Sequence, residues 1–425
     1  MPDFVDELIN NSPQWIFKEI DQNMVEEFSI KTGCSKLVSK ILLLRGIATE
    51  QDFKSYLHSD IFFLNNPFRF RDMVDAISRL KRAVRNREKI FIFGDRDVDG
   101  VLSTAMLLNM LKRFDINAFW KVPEGECGYG LEMKDIDFAR EKNVKLIITV
   151  DTGISSAKEI EHATSCGIDT IIIDHHIQPQ DLPRAQAILN PKMEHETYPF
   201  EHLSGGGVVL KFIHAFIFSH TKNYNRVFIP VVPDGEKIKG AKVVNGLVTE
   251  FLEIEEGLHY PVDRNSLVVK DLHIRLPEYF NSWLRENMIK QVCIMSSDSY
   301  NSLQEFADLF IRLFNRKQKK SMDFIRSFID LAAISTVADI MPLKGENRII
   351  VKEGLRQIRK TVNTGLKVLL NYCDLPEREL TSRDIAWNVS PVINSAGRMG
   401  EAEVAVKLFT SEDTLEASEL CRRLQ

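Results

Sequence analysis

Residues 144–176 read VKLIITVDTGISSAKEIEHATSCGIDTIIIDHH. Two Ile/Val-rich runs sit at its two ends, and each closes on acids or histidines. A helix-length stretch, 155–165, separates them. Strands buried on both faces read as continuous apolar runs, and two parallel strands need a crossover between them, usually a helix. The alternation continues outward. KIFIFGDRDVDG (89–100) and INAFWKV (116–122) come before it, with a helix-length stretch at 101–114 between them, and AQAILN (185–190) follows. The expected fold is α/β, a mostly parallel Rossmann-like sheet with flanking helices.

The rest of the chain is organised around that sheet. Residues 1–70 read as an N-terminal helical segment. The first part of the α/β domain spans 71–217. It opens on RDMVDAISRLKRAVRN (71–86), where Met73, Ile77, Leu80 and Val84 share one helical face and basic residues occupy the other. That basic face is either solvated or turned to phosphate. Residues 218–325 read as an inserted β-rich and helical lobe, its β-rich part at about 220–300. Pro233-Asp234-Gly235 and Asn245-Gly246 are its turn signals. The α/β pattern resumes at 326–425, the second part of the domain, which ends in a helical segment.

Composition removes several function classes. The chain has 425 residues, 44% hydrophobic and 27% charged, enough to bury a core and too apolar for a wholly disordered chain. Net charge is −5, so no global basic field advertises nucleic acid, and such a partner must be held by local charge or by metal ions. Six cysteines without a C-x-x-C pair suggest free thiols in a reducing compartment. No apolar run approaches a membrane span of about 20 residues. The expected location is the cytoplasm, with no membrane partner.

The chemistry collects at strand ends. Asp95, Asp97 and Asp99 follow the first run, Asp151 ends the third, and Asp174-His175-His176 end the fourth. Ligands of open parallel sheets bind beyond the carboxyl ends of the strands. Alternate carboxylates in D-R-D-V-D-G would point to one side, with Gly100 permitting a sharp turn. Carboxylates that close raise one another's pKa unless a cation compensates. An EF-hand loop would need a Glu at its twelfth position, where Ala105 and Met106 stand. Mixed imidazole and carboxylate ligands suit Mn²⁺ and are tolerable for Mg²⁺. Asp339, in the apolar STVADIMPL, is either a ligand or a helix cap. Together Asp97, Asp99, Asp151, His175 and Asp339 suit a two-metal centre acting on phosphorus. Ser204-Gly205-Gly206-Gly207 is either a plain helix start or an anion-holding backbone nest. In V-S-P-V-I-N-S-A-G-R-M-G (389–400), Asn394 and Arg398 bracket small residues, which suits contact with a phosphate.

IDHH (173–176) belongs to a longer set. FLNNPFRFRDMVDAISRL (63–80), IFGDRDVDG (92–100), GYGL (128–131), TVDTGIS (149–155), AILNPK (187–192), ISTVADIMPLKGENR (334–348) and INSAGRMG (393–400) complete it. In this order they resemble the DHH phosphoesterase superfamily, over about 50–217 and 325–425, and within it the bacterial 5′→3′ single-stranded-DNA exonucleases. The resemblance implies a DHH domain that binds two Mn²⁺ or Mg²⁺ ions and releases 5′-mononucleotides in DNA repair and recombination. It implies Asp97, Asp99, Asp151, His175 and Asp339 as metal ligands, with Asp151 shared between the ions. Asp95, Asp151 and His176 become the catalytic residues, and His176, Asn394 and Arg398 face the substrate phosphate. Single-stranded DNA is the implied substrate, with a single-stranded-DNA-binding protein and a RecQ-type helicase as partners. The chain departs from the pattern at Arg96, where the family has Tyr. It also departs in the loop 123–127, which lacks an Arg, and in the 220–300 lobe. The resemblance further leads one to expect a second DHH-associated domain and an OB-fold beyond residue 425. Two other readings stand beside it: a non-catalytic replication or repair scaffold, and a phosphodiesterase for short RNA or cyclic dinucleotides.

Overall fold

The computed structural model describes residues 18–123, 130–256, 265–295, 300–373 and 375–424. The loop 124–127 and the first two residues of GYGL lie outside them. The chain divides into two compact units, 1–59 and 60–425. In the first, α1 (Gln22–Thr32), α2 (Lys36–Leu44) and α3 (Glu50–His58) close around Phe28, Leu42 and Ile47. The division falls at 59/60 rather than at residue 70, because Ile61, Phe68 and Phe70 belong to the main core of the second unit.

The second unit is built on a five-stranded sheet. Its strands are β1 (Lys89–Gly94), β2 (Ala118–Lys121), β3 (Val144–Val150), β4 (Asp169–Ile173) and β5 (Ala187–Leu189). They are all parallel, in the order β2-β1-β3-β4-β5. Side chains alternate across it. Ile90, Ile92, Leu146, Ile148 and Ile171 enter the large core, and Phe91, Phe93 and Ile147 enter a smaller one on the other face. The chain leaves β1 toward β2 and returns on the opposite side to β3. The order therefore reverses between β1 and β3, and a crevice opens beyond their carboxyl ends.

Helices cover both faces. On one lie α4 (Met73–Asn86), α5 (Val98–Lys112) and α8 (Gly205–Phe218), and on the other α6 (Met133–Glu141) and α7 (Ala157–Ser165). The basic side of α4 is not simply solvated. Arg79 is buried, with Nε 2.5 Å from Asp169 and a terminal nitrogen 2.7 Å from Glu88, and Arg82 also reaches Asp169. α8 is apolar almost throughout and buried, because it runs between α5 and α12 (Ile329–Ala338).

Between them the chain makes a second sheet from β6 (Val227–Asp234), β7 (Lys237–Val244), β8 (Leu247–Ile254), β9 (Leu267–Asp271) and β10 (Lys290–Ile294), ordered β10-β9-β6-β7-β8. Asn245 and Gly246, both at positive φ, form the two-residue turn joining β7 to β8. α9 (Glu278–Glu286) packs on one face of this sheet. α10 (Leu303–Arg316) lays Phe310 and Phe314 against Phe228, and α11 (Lys319–Arg326) leads back to α12. The remaining chain is helical: α13 (Gly345–Ile358), α14 (Thr364–Tyr372), α15 (Ser390–Arg398), α16 (Ala402–Thr410) and α17 (Thr414–Arg423). No described helix is long and apolar enough to cross a membrane.

Candidate metal centre

Three strand ends and one helix end meet at the crevice. Asp95 follows β1 directly and is buried. The next two acids are not on an extended strand, as the alternating pattern suggested. Asp97 is the N-cap of α5 and accepts a bond from the Gly100 N–H at 2.9 Å, and Asp99 lies in the first helical turn. Gly100 is needed for closeness rather than for a turn. A Cβ there would sit 2.5 Å from the Asp95 carbonyl, so only glycine lets the helix start beneath the strand end.

Asp151 ends β3 in the left-handed region, φ 59°. Its N–H donates to the Ile173 carbonyl at 2.8 Å, and its carboxylate is buried with Oδ1 3.1 Å from Nε2 of His175. The same His175 nitrogen lies 3.5 Å from Asp339 Oδ2 and 3.8 Å from Asp99 Oδ2. The histidine thus faces three carboxylates from three elements. Asp339 occupies the C-cap of α12, and that position also brings its carboxylate to His175. A carboxylate at the negative end of a helix is disfavoured unless a cation is near.

Asp174 is fully buried and serves geometry. Its Oδ1 accepts from the N–H of His175 (2.7 Å) and of His176 (3.1 Å) and meets His176 Nδ1 at 2.7 Å, while Oδ2 accepts from Ile154 N–H at 3.0 Å. Burial alone would raise this carboxyl, but the His176 and backbone bonds outweigh it and hold it below the ordinary range. In return Asp174 raises the half-exposed His176 imidazole.

The glycine-rich 204–207 segment combines both expectations. It begins α8, and its N–H groups do hold an anion, which is Asp99 itself. Gly205 N–H donates to Oδ2 at 2.7 Å and Gly206 N–H to Oδ1 at 2.8 Å. Ser335, on α12, donates its hydroxyl to Asp99 Oδ1 as well. Both glycines are forced by contact. A Cβ on Gly205 would fall 2.6 Å from Asp151 Oδ1, and one on Gly206 2.3 Å from Ser335 Oγ. Ser335 escaped notice in the sequence, where only a hydroxyl within an apolar run marked it.

Burial pushes the Asp97 carboxyl up to about 6, with Asp99 and Asp95 adding repulsion. Burial and the neighbouring Asp99 and Asp97 raise Asp339 to about 7. Asp151 is raised well above the carboxylate range by burial, then by Asp99, Asp97, Asp174 and Asp95. Asp95 Oδ2, Asp151 Oδ1 and Asp339 Oδ2 are buried and accept no hydrogen bond from a described residue. Buried carboxylates without donors await a cation or a proton. Their atoms fall into compact groups within 4.8 Å: Asp95, Asp97 and Asp151; Asp99, His175 and Asp339; and Asp151, His175 and His176. The donor set fits divalent ions of the Mn²⁺ and Mg²⁺ kind.

Asn394 and Arg398 are one turn apart on α15. Gly397 packs so tightly on the Arg96 carbonyl that a Cβ would lie 2.4 Å from it. The end of α15 therefore abuts the 95–97 loop, and the Arg398 side chain there is exposed.

Comparison with known proteins fits this geometry. The DHH family, N-terminal domain, matches residues 89–231. The chain is 28% identical over 418 residues to the single-stranded-DNA-specific exonuclease RecJ of Bacillus subtilis, covering 98% of this chain and 40% of that protein. It is 27% identical over 352 residues to the RecJ of Escherichia coli, covering 82% and 46%. The chain spans less than half the length of these curated relatives. The crystal structure of RecJ from Thermus thermophilus in complex with Mn²⁺ superposes with a TM-score of 0.60 at 20% identity, over 95% of this chain and 43% of that one. A manganese-bound exonuclease RecJ gives a TM-score of 0.55 at 22% identity, over 85% and 66%. These likenesses show a shared fold. The stretch that matches the DHH family, N-terminal domain, holds the whole parallel sheet, with Asp174-His175-His176 at the end of β4.

Proposed function

We propose that this chain is the catalytic part of a metal-dependent 5′→3′ exonuclease that hydrolyses single-stranded DNA to 5′-mononucleotides. The observation that carries it is the position of Asp151. Its carboxylate belongs to two candidate ligand groups, one with Asp95 and Asp97 and one with His175 and His176, and Oδ1 has no hydrogen-bond donor among the described residues. Asp97, Asp99, Asp151, His175 and Asp339 would hold two Mn²⁺ or Mg²⁺ ions. When bound, such a pair lowers the pKa of water and stabilises the attacking and leaving oxygens of an in-line displacement.

The chain's own groups do the rest. Asp174 commits Nδ1 of His176 and leaves Nε2 to donate to a phosphate oxygen of the substrate. Asp95 accepts a proton from the attacking water at its unpartnered Oδ2. Asn394 and Arg398 bind the substrate phosphate from the end of α15. The 5′→3′ polarity, a single-stranded-DNA-binding protein and a RecQ-type helicase as partners, and the cytoplasm as location are carried over from the resemblance of the sequence motifs.

The test is release of labelled mononucleotide from a 5′-labelled 30-mer with Mn²⁺, beside an EDTA control, a dinucleotide substrate and Asp151→Ala. Release that requires metal and Asp151 and favours the 30-mer is expected. Preference for the dinucleotide would overturn the assignment in favour of a short-RNA or cyclic-dinucleotide phosphodiesterase. Absence of Mn²⁺ binding in calorimetry would overturn it in favour of a scaffold.

A further inference from the structure

Residues 312–320 read RLFNRKQKK, five cations and no acid in nine positions of a chain whose net charge is −5. They form the corner where α10 ends and α11 begins. Arg312, Arg316, Lys317, Lys319 and Lys320 are all exposed, and none makes an ion pair with a described residue. Elsewhere on the surface, Lys237, Lys239, Arg285, Arg378 and Lys407 each sit on a carboxylate.

Helix electrostatics do not account for the cluster. Arg316 sits at the negative end of α10, which favours it. Lys319 and Lys320 are the first two residues of α11, at its positive end, where cations are disfavoured. That first turn holds no acid, and Gln318 at the N-cap accepts no hydrogen bond with its side chain. The positive end of α11 thus has neither a side-chain cap nor an acid, and it shares one corner with the exposed cations.

The corner has a fixed relation to the metal centre. Gly205, at the start of α8, touches Asp99 and Asp151, and Phe218, at the other end, meets Phe314 of α10 edge-on with ring centroids 6.1 Å apart. A helix of 14 residues spans roughly 21 Å. The cluster thus lies about that far from the chemistry along α8, beyond the reach of a dinucleotide and within reach of a long strand.

We propose that the α10–α11 corner is a second nucleic-acid contact, which binds the phosphate backbone of the substrate strand at a distance from the end being hydrolysed. The inference rests on the nuclease reading for the identity of the strand, and its test is separable. Binding of a fluorescent single-stranded 30-mer is measured in EDTA, without turnover, across a salt series. Each lost phosphate contact reduces the slope of log K against log salt by about 0.7 on single strands. The variant Arg316→Ala/Lys319→Ala/Lys320→Ala should weaken binding about tenfold or more at low salt and flatten the slope by about 2. Hydrolysis of the dinucleotide should not change. Lys319→Glu/Lys320→Glu guards against a trivial loss of folding. Acids at the start of α11 favour the helix, so its melting temperature should not fall while its affinity does. Unchanged affinity and slope in both variants would overturn the proposal, whatever else the corner binds. So would a loss of affinity that appears only together with a lower melting temperature. A wild-type chain that binds the 30-mer through this corner yet hydrolyses nothing would sink the nuclease reading alone.

Discussion

Asp99 shows how much of the centre is built by groups that never touch a substrate. A lone buried carboxylate would be costly, and here two N–H groups at the start of α8 and two hydroxyls, of Ser335 and, at 3.4 Å, of Ser103, orient it. Its Oδ2 also lies 3.8 Å from Nε2 of His175. Outer partners of this kind commonly set metal affinity by about 10–100-fold. Ser335→Ala should therefore weaken Mn²⁺ binding in calorimetry by that order while the far-ultraviolet dichroism stays native. Gly206→Ala should do more damage, because its methyl would overlap Ser335 Oγ. Equal Mn²⁺ affinity in Ser335→Ala and wild type would refute the positioning role. Asp151 offers the complementary case. No described residue makes a hydrogen bond to its Oδ1, and Gly205 leaves just enough room for it.

The element that matters most is α8. One end touches Asp99 and Asp151, the proposed metal ligands, and its middle carries two titratable groups, Lys211 in the core and His214 partly buried. Lys211 is buried and donates to Glu346 and to the Asn65 carbonyl, while Tyr198 gives its hydroxyl to the other Glu346 oxygen at 2.5 Å. Through Lys211 and Tyr198 this network ties two of the motifs in the sequence together, FLNNPF and GENR. Lys211→Met leaves Glu346 buried without its cation and should cost about 3–5 kcal/mol in denaturant unfolding. His214, one turn later, lines a cavity with Phe68, Phe218 and Asn245, and its Nδ1 has no partner. Burial, with Lys211 adding repulsion, pushes this imidazole down to about 3 from 6.5. A depressed histidine contributes stability that is complete above pH 6.5 and is lost as pH falls toward 3. His214→Phe should flatten the acid limb of the stability profile below pH 6.5. An unchanged limb would show that the ring finds a proton acceptor.

At the scale of the whole molecule, the proposed metal centre works against the fold until a cation arrives. Asp97, at about 6, and Asp339, at about 7, are raised above their ordinary value. Their contribution to stability is therefore present at low pH and lost as pH rises through those values. Mn²⁺ should reverse the loss. At a hundredfold excess over its dissociation constant it should add about 2.7 kcal/mol to unfolding. The gain in melting temperature should be larger at pH 7.5 than at pH 5.5, because bound metal must displace these protons. Equal gains at both values would place the bound ion elsewhere.

The α/β core was legible because its strands are buried on both faces. Only continuous Ile/Val runs satisfy that environment, and the acids and histidines that end them must share the crevice between β1 and β3. Asp151, His175 and Asp339 were thus visible as partners, although they lie far apart along the chain. The glycines were visible but their reasons were not. Gly100 reads as a turn residue, and only packing shows that it clears the Asp95 backbone. The same holds for the 204–207 segment. Its anion belongs to the chain itself, over one hundred residues earlier, so no local pattern could name it. Arg79, Lys211 and Ser335 read as ordinary polar residues, and burial alone made them pins of the structure. Local sequence carries the strand runs and the ligand types, since each depends on burial and chemistry that a few neighbours set. What holds those ligands in place depends on contacts between distant segments, and only the folded chain brings these together.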